Sequence, residues 1–192
     1  MAVEAVVFDV GETLVDETRT WEAAADECGV TRFTLMALVG AAIANGEPHT
    51  RALERLGITP SRGVFFLDQW YPDALPCLAR VRDAGLTVGA IGNMAVEHEE
   101  LIRPHVGFVS SSERIGVEKP SPAFFARVAE LAGAEPERIA YVGDRVDNDV
   151  APALAAGMVA VHIRRGPWGH LQEPPPGAIR IGSLDELPEV LR

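Results

Sequence analysis

The chain has 192 residues, 47% of them hydrophobic, with a formal charge of −11 and a pI near 4.9. That length and apolar content describe one ordinary domain, or a core domain with a small insertion, and exclude a disordered chain. So acidic a surface argues against nucleic acid or an anionic membrane as partner, because both select a basic footprint. An anionic ligand would then need a local positive patch or a metal.

Val3 to Phe8 is a short valine-rich run closed by Asp-Val-Gly, which predicts a buried central strand. From about Thr18 to Pro72 the pattern is helical: Thr20 precedes WEAAADEC, Thr31 precedes RFTLMALVGAAIAN with Gly46 closing it, and PHTRALERLG ends at Gly57. The longest apolar run, Phe33 to Ala44, is too short to span a bilayer needing about 20 residues, and predicts a buried core helix. Strands and helices then alternate. Asp73 caps ALPCLARVRDA, LTVGAIGN is a strand, AVEHEELIR a helix and GFVSS a short strand. Ser121-Pro122 opens AFFARVAELA, followed by the strand IAYVGD, the helix DVAPALAA and the strand MVAVHIRR. The tail from Gly166 carries three consecutive prolines, an edge strand AIRI and a short final helix.

This order predicts an α/β fold with a doubly wound parallel sheet, built from residues 1–17 and 73–192, with 18–72 inserted as a small helical cap. In such sheets the ligand lies beyond the carboxyl ends of the strands. Asp9, Asn93, Ser110 and Asp144 are placed at those ends, and the inserted helices leave from the same edge. There are two cysteines, Cys28 and Cys77, without metal-ligand spacing or a disulfide framework. The start MAVEAVVFDV has no basic n-region. Together these predict a cytoplasmic protein; the sequence carries no signal for its oligomeric state.

Of the 17 basic residues all but one are arginine, and the exception is Lys119, in GVEKPSPAFF. A compact ammonium on a flexible stem is chemically distinct from a planar guanidinium. Asp9 and Asp144 each end an apolar strand, so the three residue types together describe a site for an anion and a metal.

These residues resemble the haloacid dehalogenase-like superfamily, mostly phosphatases acting through an aspartyl-phosphate. The first motif, Asp-x-Asp-x-Thr, stands here as Asp9-Val10-Gly11-Glu12-Thr13; the second as Gly92-Asn93; the third as Lys119; the fourth as Gly143-Asp144 with Asp149. The resemblance implies a Mg²⁺-dependent phosphatase acting on a small phosphorylated substrate. Asp9 would be nucleophile and metal ligand, with Asp144 and the Gly11 carbonyl as further ligands. Asp149 would hold a metal-bound water or orient Asp144. Lys119 would neutralise Asp9 and the phosphoryl group, and Gly92 and Asn93 would bind phosphate. Two relatives with other chemistry fit less well. The true dehalogenases work without metal and would not need the Gly-Asp pair, and the phosphonate-cleaving members use a cap lysine, which residues 18–72 lack.

Two positions depart from the pattern. Gly11 stands where the phosphatases carry a second aspartate, the acid/base group, a role worth about 10²–10⁴ in rate. Gly92 stands where a hydroxyl donor is usual. The sequence alone therefore predicts slow turnover that favours aryl, acyl or anomeric phosphates over alkyl esters, or a family member that only binds a phosphorylated ligand. Glu12 and Thr13 are too constrained by their turn to be taken as substitutes. Arg164 and Arg165 are candidate anion holders at the crevice, Trp168 and His170 candidate rim residues, and Trp21 and Trp70 packing residues of the cap. His49, His98 and His105 have no metal-ligand spacing.

Overall fold

The computed structural model describes residues 2–58, 66 and 68–191. Strand β1 (Ala5–Phe8) is followed by three helices, α1 (Thr18–Glu27), α2 (Arg32–Ala44) and α3 (Thr50–Arg55). Then come α4 (Ala74–Asp83), β2 (Thr87–Gly92), α5 (Glu99–Ile102), β3 (Phe108–Ser111), α6 (Ser112–Ile115) and α7 (Pro122–Ala132). The chain continues through β4 (Ile139–Gly143), α8 (Ala151–Ala155), β5 (Val159–Ile163), α9 (Gly166–Leu171), β6 (Ile179–Ile181) and α10 (Leu187–Val190). All strand pairs are parallel, in the order β3-β2-β1-β4-β5-β6. Strand order therefore reverses at β1, which opens the crevice between the ends of β1, β2 and β4.

The period-2 geometry of strands divides the sheet's side chains between two cores. Val6, Phe8, Val88, Ala90, Val142 and Ile163 face one side, where Ala74, Cys77, Leu78 and Val81 of α4 cover them. Ala5, Val7, Ile91, Ile139, Tyr141 and Ala160 face the other, under Phe124, Phe125 and Val128 of α7. A sheet buried on both faces explains why β1 and β4 are uninterrupted apolar runs. Helices α1–α3, with Trp168 of α9, build a third cluster, to which α2 gives Leu35, Val39 and Ile43 at helical spacing. Of the predicted insertion 18–72, residues 59–65 and 67 lie outside the described residues. Among the described residues no single helix is long and apolar enough to cross a membrane.

Several sequence expectations need correction. The Phe33–Ala44 run is not a core helix: it packs one face into the α1–α3 cluster and leaves Phe33 83% exposed. Asp73 stands at the cap position of α4 but does not cap it. Its carboxylate accepts instead from the Leu184 N–H (2.9 Å), the Ser183 hydroxyl (2.7 Å) and the Arg165 guanidinium, tying the tail to α4. Trp70 is not confined to the inserted segment: it bridges Val15 antiparallel, packs on the first core and meets the His105 ring edge-on at 5.1 Å. Helix α9 goes unpredicted, because its GPWGHL sequence has two glycines and a proline in six residues.

Candidate functional site

The loop after β1 sets the site. Leu14 and Val15 both donate to the Val10 carbonyl, at 2.9 and 3.0 Å, so the chain turns tightly just beyond Asp9. The left-handed backbone of this turn belongs to Glu12 (φ 50°), while Gly11 is not in that region. A non-glycine residue there costs about 1–3 kcal/mol and must be held in place. Glu12 is held: its carboxylate accepts from the Tyr71 hydroxyl (2.6 Å) and the Glu17 N–H (3.0 Å).

Lys119, a buried residue at a cavity floor, places its Nζ 2.6 Å from Asp9 Oδ1 and 2.5 Å from Asp149 Oδ1. Burial alone would drive its proton off, but the charges of Asp149 and Asp9 outweigh that and hold the ammonium well above the ordinary lysine range. The second oxygen of Asp149 accepts from the Arg145 N–H (3.1 Å), so Asp149 has both oxygens turned to protein donors. Burial pushes the Asp149 carboxyl up to about 6 against the pull of Lys119. Gly143 is a glycine because a β-carbon there would stand 2.5 Å from Asp149 Cγ.

Carboxylate oxygens of Asp9, Asp144 and Asp149 lie within 4.8 Å of one another. Asp144 Oδ2 is buried without a hydrogen-bond partner. Burial, and then the charges of Asp149, Asp9, Glu17 and Glu12, push the Asp144 carboxyl well above its ordinary value. An orphaned carboxylate oxygen in an all-oxygen cluster crowded with negative charge fits a hard divalent cation. Behind it, His162 Nε2 lies 3.0 Å from the Asp144 carbonyl. Burial lowers the His162 pKa, and a carbonyl can only accept, so the neutral ring carries its proton on Nε2 and anchors this backbone.

At the end of β2, a β-carbon on Gly92 would stand 3.0 Å from Asp9 Oδ1, so this position faces the Asp9 carboxylate directly. Asn93 is turned toward the Lys119 backbone, not toward Asp9: its Oδ1 accepts from the Lys119 N–H (2.9 Å) and its amide donates to the Lys119 carbonyl (3.1 Å).

A cavity of about 380 Å³ opens above these groups. Asp9, Gly11, Gly92, Lys119 and Asp144 form its floor, and Glu17, Trp21, His49, Leu53 and Trp168 rise around it. The three rings of Trp21, His49 and Trp168 meet pairwise with centroids 5.6–6.0 Å apart. Trp21 is therefore a wall of the cavity as well as a packing residue. Burial, with Glu12 and Asp9 nearby, pushes the Glu17 carboxyl up to about 8.

Other sequence candidates lie elsewhere. Ser110 is buried inside β3 and does not line the cavity. Arg164 is exposed, and Arg165 donates to the Thr13 carbonyl (2.7 Å) and Asp73 while stacking 4.2 Å over the Tyr71 ring. Arg165 thus braces the β1 loop from behind, and among the described residues the arginine lining the cavity is Arg145, which lies over Trp168. Trp168 lines the cavity but His170 does not. Sequence reading missed Glu17 and Arg145, which lie beside the first and fourth motifs but match no position in them, and His162, which reaches the Asp144 backbone from β5.

A family model of haloacid dehalogenase-like hydrolases matches residues 3–157. A glyceraldehyde 3-phosphate phosphatase of Methanopyrus kandleri is 44% identical over 108 residues, 53% of this chain and 46% of that protein. A phosphoserine phosphatase of Thermus thermophilus is 32% identical over 151 residues, 71% of this chain and 60% of that protein. The chain spans about half the length of the curated relatives it matches. Among solved structures, the HAD-hydrolase YfnB from Bacillus subtilis bound to magnesium superposes with a TM-score of 0.75 over the full length of both chains, at 15% identity, a likeness of fold alone. The family match runs from before β1 past α8 and so takes in Asp9, Lys119, Asp144 and Asp149: the chain belongs to the haloacid dehalogenase-like hydrolases.

Proposed function

We propose that this chain is a Mg²⁺-dependent phosphohydrolase that cleaves a small phosphorylated metabolite through an aspartyl-phosphate on Asp9. The observation that carries the reading is the buried Lys119 ammonium between Asp9 and Asp149, beside the orphaned Asp144 oxygen. The phosphatase names of the two curated relatives support it. Asp9, Asp144 and the Gly11 carbonyl would hold the ion, with Asp149 orienting the group through Lys119 and the Arg145 N–H. When bound, Mg²⁺ offsets the negative charge of the phosphoryl oxygens and orients them for in-line displacement.

The chain's own residues do the rest. Asp9 Oδ attacks phosphorus as the ester P–O bond breaks. Lys119, fixed by Asp149 and by Asn93 on its backbone, neutralises the charge shared between Asp9 and the transferring group. Helices of the 18–72 segment act as a cap over the core of 1–17 and 73–192. The apolar rings of Trp21 and Trp168 exclude water from the cavity. The substrate is a small organic phosphate that a cavity of about 380 Å³ can enclose. Both cysteines are free, in keeping with a reducing compartment such as the cytoplasm.

Phosphate release from a panel of small esters, with and without Mg²⁺, tests the reading. Metal-dependent release that Asp9→Asn abolishes in a folded protein is expected. Full activity in excess chelator, or wild-type turnover by Asp9→Asn, overturns it.

A further inference from the structure

Position 11 has no side chain, yet the space where one would stand is filled. A β-carbon built on Gly11 would lie 2.6 Å from Glu17 Cδ and closer still to its Oε1. The backbone itself would admit another residue, since Gly11 is not in the left-handed region. What excludes a side chain is the carboxylate of Glu17, which reaches the same volume from the start of α1 and lines the cavity beside Asp9.

The other carboxylates at the cavity are already committed. Asp9 is paired with Lys119, Glu12 accepts from Tyr71 and the Glu17 N–H, and Asp144 belongs to the metal cluster. We propose that Glu17 is the acid/base residue of this enzyme, performing from six residues downstream the task that position 11 cannot. The inference rests on the phosphatase reading above.

The steps balance as follows. Asp9 forms a new O–P bond while the ester P–O bond breaks, and the Glu17 carboxyl gives its proton to the departing oxygen, releasing the alcohol. Water then attacks phosphorus and its proton passes to the Glu17 carboxylate. The Asp9 O–P bond breaks, phosphate leaves, and both carboxyl groups return to their starting state. Help to the leaving group matters most when that group is a poor one. The preference for acidic leaving groups that Gly11 alone would impose is therefore absent from the intact enzyme.

The test is the dependence of kcat/KM, which reports the first chemical step, on leaving-group pKa across substituted phenyl phosphates and β-glycerophosphate. A shallow dependence is expected for the wild type. Glu17→Gln, nearly isosteric and expected to stay folded, should lose about 10²–10⁴ on the alkyl ester and less than about tenfold on 4-nitrophenyl phosphate. Moving the carboxyl back, in Gly11→Asp combined with Glu17→Ala, should restore alkyl-ester cleavage lost in Glu17→Ala. Equal leaving-group slopes for wild type and Glu17→Gln overturn the assignment while leaving the phosphatase reading intact. No phosphate release by the wild type from any ester removes that reading, and the assignment with it.

Discussion

Asn93 grips the backbone of Lys119 from both sides, accepting from its N–H at 2.9 Å and donating to its carbonyl at 3.1 Å. The side chain that follows β2 thereby sets where the loop before α7 presents its ammonium. Asn93→Ala should cost about 1–3 kcal/mol for two lost hydrogen bonds and lower kcat about 10-fold or more, because a displaced Lys119 stabilises the transferring charge less well. Paired thermal melts and steady-state kinetics check this. Wild-type kcat in the alanine variant would mean that Lys119 is held without Asn93.

Lys119→Arg keeps the charge but not the shape. The site gives the ammonium two carboxylate oxygens at 2.5 and 2.6 Å in an enclosed space, where a planar fork overfills the gap. A loss of about 1–3 kcal/mol in stability and about 100-fold in rate is expected. Urea unfolding and phosphate release measure the two separately.

Asp144→Asn removes from the cluster the carboxylate whose buried Oδ2 has no hydrogen-bond partner. The Mg²⁺ concentration needed for half-maximal activity should rise about 10–100-fold or more. The metal-free protein should keep or gain stability, since a carboxyl whose ionised form is disfavoured by burial and by Asp149 and Asp9 is replaced by a neutral amide. A melt in chelator and a Mg²⁺ titration of activity are the readouts.

Away from the site, Glu99 is fully buried and accepts from Ser111 (2.7 Å) and Arg114 (2.8 Å). Burial pushes its carboxyl up, but the Arg114 and Ser111 hydrogen bonds and the charges of Arg114 and Arg103 outweigh it, leaving the group below its ordinary 4.5. A carboxylate depressed in the folded state adds stability that is complete above its unfolded pKa and disappears as pH falls through the folded one. Glu99→Gln should thus destabilise by about 1–3 kcal/mol at pH 7, and the gap to wild type should begin to narrow below about pH 4.5 and close only as pH falls through the lower, folded pKa. Urea unfolding at pH 7 and at a series of pH values descending from 4.5 gives the comparison.

The sheet was legible in the sequence because a parallel strand buried on both faces must be apolar throughout, and AVVF and IAYVG can be little else. The same rule put Asp9 and Asp144 at strand ends, since a carboxylate directly after such a run stands where the sheet meets solvent. Lys119 was legible by its rarity. Tertiary structure decided the rest. Turn geometry gave the left-handed backbone to Glu12 and not to Gly11. Crossing chains brought Glu17 into the space at position 11, Asn93 onto the backbone of Lys119, and Arg165 behind the β1 loop and away from the crevice. A glycine reads in sequence as a missing side chain, but sequence cannot say what fills the space it leaves. In a close-packed interior that space goes to whichever neighbour the fold brings nearest, and here the neighbour carries a carboxylate.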